Sequence, residues 1–250
     1  MAAQAVLDRS FTAPAISYLL LDAQSNVLAS RWPEGIRTPL APGSLLKPWL
    51  ALAYGEQHRS DFPTFLCTGA QGRCWLPRGH GRLGLRAAIA DSCNAYFLQL
   101  AQGVDEARAR LVLARYGLQG PGPRASPSSL VGLDGEWKET PLDLAQAYRL
   151  LASERNWPLQ SLILGGMQSS ANYGTARAMG DALGKDAVLA KTGTTACTHT
   201  PRAPGDGFVL AIYPAAAPRL LLLVRVHGTT GASSAKIAAA MLQALGAGSH

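Results

Sequence analysis

The sequence predicts an α+β fold, with an antiparallel sheet built from both termini and a helical lobe between them. Three observations carry this expectation. Short apolar runs bounded by turn residues occur near the start, at residues 16–22 and 27–31. Similar runs return near the end, at 187–192, 207–213 and 220–227, and the last carries a continuous apolar run, as a strand buried on both faces would. The residues between these two sets carry helical spacing.

In chain order, the polar turn Gln24-Ser25-Asn26 joins the first two strands. A loop over 32–43, rich in Pro and Gly, leads to an apolar helix that starts near Ser44 and runs to about Gln57. Pro48 lies early enough in that helix for its missing N–H to cost little. Residues 60–84 have little periodicity and read as irregular. Helices are expected over 85–91, 95–102 and 106–116, with Gly117 as a terminator. Residues 120–129 read as a Pro/Gly/Ser loop. A helix over 142–153 places Leu142, Ala145, Leu150 and Leu151 near one face, and another is expected over 175–183. The closing helix spans 233–245, with Ser233 or Ser234 at its cap.

Composition narrows the class. The 250 residues are 48% apolar and 16% charged, which is ordinary globular usage and enough for one substantial core. The net charge of +7 suits an anionic surface such as nucleic acid or a cell envelope. No dense Lys/Arg run or aromatic-interleaved basic stripe is present, so nucleic acid is not the expected partner. No run reaches the roughly 18 apolar residues of a membrane span. Met1-Ala2-Ala3-Gln4 lacks a signal-peptide pattern, and Gly248-Ser249-His250 reads as a tag remnant, so an export signal or anchor is expected to have been removed. A cytosolic protein without one is the alternative.

Three short motifs supply the chemistry. In Pro42-Gly43-Ser44-Leu45-Leu46-Lys47-Pro48, a serine and a lysine stand three apart at a helix start, where they share a face. A lysine behind an apolar run can lose its proton and activate the hydroxyl. Ser92-Cys93-Asn94 follows as Ser-x-Asn, and Lys191-Thr192-Gly193-Thr194 follows an apolar run. Each alone is common: the first serine caps, the second caps the next helix, and the last is a strand end. Ser-x-x-Lys, Ser-x-Asn and Lys-Thr-Gly in this order are far more specific.

The flanks extend the match: Ser92-Cys93-Asn94-Ala95-Tyr96-Phe97, Thr140-Pro141-Leu142-Asp143-Leu144-Ala145 with Tyr148, Gly174-Thr175-Ala176, and Cys67 through Cys74-Trp75 to Gly79-His80-Gly81. From about residue 15 to 242 the chain resembles the transpeptidase domain of high-molecular-mass penicillin-binding proteins. The resemblance implies a β-lactamase/transpeptidase-like fold in a single domain over 1–247, with a sheet lobe at about 12–43 and 185–247 and a helical lobe at about 44–184. It implies Ser44 as nucleophile, Lys47 as general base and Ser92 as proton relay to the leaving nitrogen. Asn94 would bind the substrate amide and steady Lys47. Lys191, Thr192 and Thr194 would receive a carboxylate, Gly193 would let the substrate backbone approach, and the N–H groups of Ser44 and Thr194 would hold the oxyanion.

The implied activity is a serine D,D-transpeptidase on the D-Ala-D-Ala end of peptidoglycan stem peptides, acylated by β-lactams at Ser44 and working on the periplasmic or extracytoplasmic side. A D,D-carboxypeptidase, a class D-like β-lactamase with a carboxylated Lys47, and a non-catalytic sensor or scaffold are the alternatives. The stretch between Asn94 and Lys191 is shorter than usual for the family. No glycosyltransferase, dimerisation or pedestal domain is visible, which reads as a minimal module, either serving a specialised wall-remodelling task or working beside a cell-wall protein partner. No cofactor is expected.

The cysteines leave several readings open. Cys67 and Cys74 bracket a short loop and suit a disulfide, a pair of reduced thiols, or zinc with His80; lacking an evident fourth ligand, the expectation is no metal. Cys93 and Cys197 are expected near the same cleft as small apolar side chains. Asp134 and Glu136 read as solvated, and Tyr173-Gly174 fits the Gly174-Thr175-Ala176 pattern better than the Tyr-Gly motif of class D β-lactamases.

Overall fold

The computed structural model describes residues 2–197 and 202–247. A short helix, α1 (Ala3–Ser10), precedes the hairpin β1 (Ile16–Asp22) and β2 (Val27–Arg31). One turn of 3-10 helix (Gly43–Leu46) runs into α2 (Lys47–Gln57). Next come β3 (Phe65–Cys67), β4 (Gly81–Leu83), α3 (Leu85–Ala90), α4 (Asn94–Ala101), α5 (Glu106–Ala114), α6 (Pro127–Val131), α7 (Pro141–Ser153), α8 (Pro158–Asn172) and α9 (Arg177–Leu183). The chain closes with β5 (Leu189–Thr195), β6 (Asp206–Tyr213), β7 (Leu220–His227) and α10 (Gly231–Ala244). The predicted tag remnant lies outside the described residues.

The five long strands form one antiparallel sheet in the order β2-β1-β7-β6-β5, so strands from the two ends of the sequence meet at β1 and β7. Side chains alternate across this sheet. Tyr18, Leu20, Val209, Ala211, Leu222 and Val224 pack with Leu7, Met179 and the α10 residues Ala238, Met241 and Leu242. Leu19, Leu21, Phe208, Leu210, Leu221 and Leu223 share the opposite core with Trp49, Tyr148 and Leu151. Both faces are covered, which is why β7 opens on an unbroken apolar run over 220–224. The edge strand β5 lies beside the 3-10 turn of Ser44, and this contact positions the site.

Several expectations change. Residues 60–84, expected to be irregular, contain the two-stranded pair β3–β4, in which Cys67 opposes Gly81. Strands of three residues are too short to show a period of two. Within the expected loop 120–129, Ser126 caps α6 by accepting the Ser129 N–H. Helix α8 is not predicted from the sequence, because Gly165, Gly166 and three serines lower its helical propensity. Packing supplies the reason: a Cβ on Gly166 would lie 2.7 Å from the Ile89 Cβ of α3. The last helix is capped by Thr230, which accepts the Ser233 N–H, while Ser234 bonds the Gly207 carbonyl of β6 instead of capping.

Candidate active site

Ser44 sits in the 3-10 turn, where residues three apart eclipse one another, so Ser44 and Lys47 fall on one side. The Lys47 N–H donates to the Ser44 carbonyl, closing that turn. Lys47 is fully buried, and its Nζ lies 2.7 Å from the Ser92 carbonyl, 2.6 Å from Asn94 Oδ1 and 3.3 Å from Ser92 Oγ. Lys191 arrives from β5: its Nζ is 2.8 Å from Ser92 Oγ and 2.7 Å from the Thr192 carbonyl. The Ser92 hydroxyl therefore bridges two lysines.

Among the described residues neither lysine has a carboxylate partner, and an unpaired buried ammonium is costly. Burial pulls Lys47 down to about 7. Burial, and then the Lys47 charge, hold Lys191 well below its ordinary value. At neutral pH a large share of Lys47 is free amine. Its two N–H groups match the Ser92 carbonyl and Asn94 Oδ1, leaving its lone pair free to accept a proton.

Ser92 has φ +51, a left-handed conformation that a non-glycine residue adopts only where its surroundings hold it. The Cys93 N–H donates to Ala88 O at 3.0 Å, and Trp75 Nε1 donates to Asp91 O at 3.1 Å and Ser92 O at 3.2 Å.

A cleft of about 350 Å³ is lined by Ser44, Ser92, Asn94, Thr192, Gly193 and Thr194. All eight predicted site residues thus belong to this cleft or to the lysine cluster beneath it. The Thr192 hydroxyl donates to Thr175 Oγ1 at 2.6 Å, and Thr194 Oγ1 accepts the Gly231 N–H at 3.0 Å, tying the strand to the start of α10. Gly193 acquires a reason beyond substrate approach: a Cβ there would lie 2.7 Å from the Pro42 carbonyl, so β5 reaches the Ser44 turn only as glycine. A larger hollow of about 490 Å³ holds none of these residues, and its Arg86 and Arg155 are tied to Ser169 and to the Ala215 and Ala216 carbonyls.

A family model for the penicillin-binding protein transpeptidase domain matches residues 22–245. This chain belongs to that family. Among solved structures it is similar to penicillin-binding protein 2 of Pseudomonas aeruginosa, with a TM-score of 0.79 and 19% identity over 98% of this chain and 73% of that one. It is similar to penicillin-binding protein 2 of Helicobacter pylori, solved in complex with MreC, at 0.79 and 18%, covering 98% of this chain and 63% of that one. The transpeptidase domain of Burkholderia pseudomallei penicillin-binding protein 3 matches at 0.69 and 19%, over 96% and 91%. A comparison with curated proteins finds no match.

This transpeptidase domain has cleft residues that the motifs alone do not single out. Trp75, Leu133, Thr175, Thr230 and Ala232 complete the lining. Of these, Trp75 and Thr175 stand in stretches that carry the family resemblance, whereas Leu133, Thr230 and Ala232 have no signature.

The cysteines depart most from expectation. Cys67 and Cys74 are free thiols, one of the readings the sequence leaves open. Cys93 does not line the cleft; its Sγ lies 3.8 Å from that of Cys74, and burial pushes its thiol well up. Cys197 lies apart, bonded to Asp206. Burial raises Cys74 too, but the N–H groups of Leu76, Ala95 and Asn94, with Cys67, outweigh it and hold that thiol below its ordinary value. The donor atoms of Cys67, Cys74, His80 and Cys93 all lie within 4.8 Å of one another. The expectation of no metal rested on a missing fourth ligand. Cys93 brings a fourth candidate donor, from the centre of Ser-x-Asn. Asp134 is bonded to Ser126 and Ser129 and caps a local turn.

Proposed function

We propose that this domain is a serine D,D-transpeptidase that acts on the D-Ala-D-Ala end of peptidoglycan stem peptides through an acyl-enzyme on Ser44, with β-lactams acylating the same serine. The observation that carries this is the Ser92 hydroxyl shared by Lys47 and Lys191 beside Ser44. The Ser44 hydroxyl attacks the penultimate D-Ala carbonyl while its proton passes to the neutral Lys47 amine. The N–H groups of Ser44 and Thr194 receive the oxyanion. Collapse breaks the peptide bond, and Ser92 hands the proton from Lys47 to the departing D-Ala amine. A stem-peptide amine then attacks the ester, and the same steps in reverse regenerate Ser44.

Asn94 turns Oδ1 to Lys47, which leaves its NH₂ for a substrate carbonyl. The free edge of β5 suits an extended peptide added as a further strand. Thr192, Thr194 and the start of α10 supply the donor groups for a terminal carboxylate, and Lys191 backs them through its bond to Ser92 Oγ. Peptidoglycan as substrate places the work on the periplasmic or extracytoplasmic side. The complex of the Helicobacter pylori relative with MreC supports a cell-wall protein as partner.

Intact-mass spectrometry after incubation with a penicillin tests this reading, beside Ser44→Ala. The expected result is a stable one-drug adduct that the variant lacks. No adduct with intact drug would overturn the acyl-enzyme; no adduct with hydrolysed drug would make the protein a β-lactamase. Release of D-Ala from a stem pentapeptide, with and without an acceptor amine, separates transpeptidase from carboxypeptidase and from a sensor that acylates without turnover.

A further inference from the structure

We propose that Cys67, Cys74, His80 and Cys93 bind one zinc ion in a tetrahedral site, and that this ion fixes the turn carrying Ser92 and Asn94. The donors converge from separate places. Cys67 ends β3, Cys74 and His80 stand in the segment between β3 and β4, and Cys93 immediately precedes α4.

Three of the six donor–donor edges match a tetrahedron, and all six lie within 4.8 Å. Zinc–sulfur bonds of about 2.3 Å and zinc–nitrogen bonds of about 2.0 Å give edges of about 3.8 Å between sulfurs and about 3.5 Å from sulfur to nitrogen. Cys74 Sγ and Cys93 Sγ are 3.8 Å apart, and His80 Nδ1 lies 3.4 Å from Cys74 Sγ and 3.6 Å from Cys67 Sγ. A disulfide needs about 2.05 Å between sulfurs, and three thiols would leave one unpaired.

The surroundings fit a bound metal. All three thiols are buried. His80 turns Nδ1 to the sulfurs, and its Nε2 is buried without a hydrogen-bond partner among the described residues. Trp75 packs against the imidazole with ring centroids 5.4 Å apart. The N–H groups of Leu76, Asn94 and Ala95 reach Cys74 Sγ, an arrangement that suits a thiolate. The segment folds this tightly because Gly79, at φ +78, passes where a Cβ would lie 2.3 Å from the Cys67 carbonyl.

On binding, each thiol exchanges its proton for a Zn–S bond and the proton goes to solvent; nothing is oxidised or reduced. Three thiolates and a neutral imidazole around Zn²⁺ carry a net charge of −1. Thiolate donors in tetrahedral array favour zinc over harder cations. Four protein donors fill the coordination sphere, so the ion is structural and binds no substrate. Its effect on the chemistry is positional. Cys93 lies between Ser92 and Asn94, and a metal–sulfur bond at that residue secures the left-handed Ser92 backbone against relaxation.

The test uses the full chain, purified under reducing conditions, equilibrated with zinc and then dialysed against metal-free buffer. About one zinc per chain is expected by elemental mass spectrometry; Cys93→Ala should lose it and Cys67→His, which keeps four donors, should retain it. Cobalt added to the stripped wild-type chain should give thiolate charge-transfer and tetrahedral d–d bands, a readout that needs no variant to fold. Zinc should also protect three thiols from alkylation that proceeds after chelation. Stripping should slow penicillin acylation roughly a hundredfold, the scale of an active-site group displaced by about 1 Å, with recovery on adding zinc. A wild-type chain that holds no zinc and gives no cobalt bands, or that carries a disulfide among these cysteines, would overturn the site. Zinc bound at one equivalent with acylation unchanged on stripping would overturn its positioning role. Metal content and cobalt spectra do not depend on the Ser44 chemistry, so failure of either reading is visible separately.

Discussion

The turn Ser92-Cys93-Asn94 has two sides, and they are built on opposite principles. Ser92 and Asn94 meet Lys47 and Lys191, two amines buried without a carboxylate. That side is unstable as charge and useful for that reason, since burial brings Lys47 to about 7, where it can take a proton. Cys93, between them, meets two thiols and an imidazole, whose protons can be exchanged for a metal. In the function and the metal site proposed above, one side moves protons and the other holds the backbone still. A single tripeptide serves both because neighbouring side chains leave it in opposite directions.

The largest effect that separates the two sides is expected at Lys47. Lys47→Met keeps the aliphatic bulk and removes the amine. Acylation by penicillin should fall on the order of 10²–10⁴-fold, the usual worth of a positioned base, while zinc content stays at that of the wild type. The wild-type acylation rate should rise with pH through about 7, since a lysine held down by burial gains its lone pair there and not near its ordinary value. The variant should show no such limb. Stopped-flow acylation across pH checks both, and a variant that keeps the rising limb would assign the base to another group.

Much of this was legible in the sequence, and the exceptions have physical causes. The strands β1, β2 and β7 carry apolar runs long enough to show their boundaries, and the antiparallel sheet of both termini follows from them. Ser44, Lys47, Ser92, Asn94 and Lys191 stand in short motifs whose spacing local geometry fixes. The pair β3–β4 and the helix α8 escaped: the first is too short for periodicity, and the second spends its helix-favouring positions on glycines that admit α3. Three donors of the thiol cluster, Cys67, Cys74 and His80, stand close in sequence and are legible as a zinc set, whereas the fourth joins them only through tertiary packing. Cys93 stands at the middle of Ser-x-Asn, and nothing local ties it to Cys67.

A smaller effect tests whether the two sides share a foundation. Helix α3 leads directly into the turn, and it rests on α8 where Gly166 meets Ile89. By helix propensity, Gly166→Ala should stabilise by about 1 kcal/mol. The added methyl would lie 2.7 Å from the Ile89 Cβ, an atom fixed to backbone, and overpacking of this kind costs about 1–3 kcal/mol. The clash wins, and urea denaturation should give a net loss of up to about 2 kcal/mol. Acylation and zinc content should decline together as α3 is pushed outward. A loss confined to acylation would show that the metal side holds its own position.

The smallest effect is expected at Trp75, which touches both sides. Its Nε1 donates to the Asp91 and Ser92 carbonyls, and its ring packs on His80. Trp75→Phe keeps the ring and removes the donor. Trp75 is 51% exposed, so water can reach the released carbonyls, and Ser92 O keeps its bond from Lys47. The cost in stability should therefore be about 0.5–1.5 kcal/mol, that of one ordinary hydrogen bond. Acylation should drop less than in Gly166→Ala, with its pH limb still near 7, because the Lys47 contacts with Ser92 and Asn94 are untouched. Zinc content should remain at one equivalent, since the ring that shields His80 is still present. A drop as deep as that of Lys47→Met would place the hold on the Ser92 backbone in the indole and not in the metal.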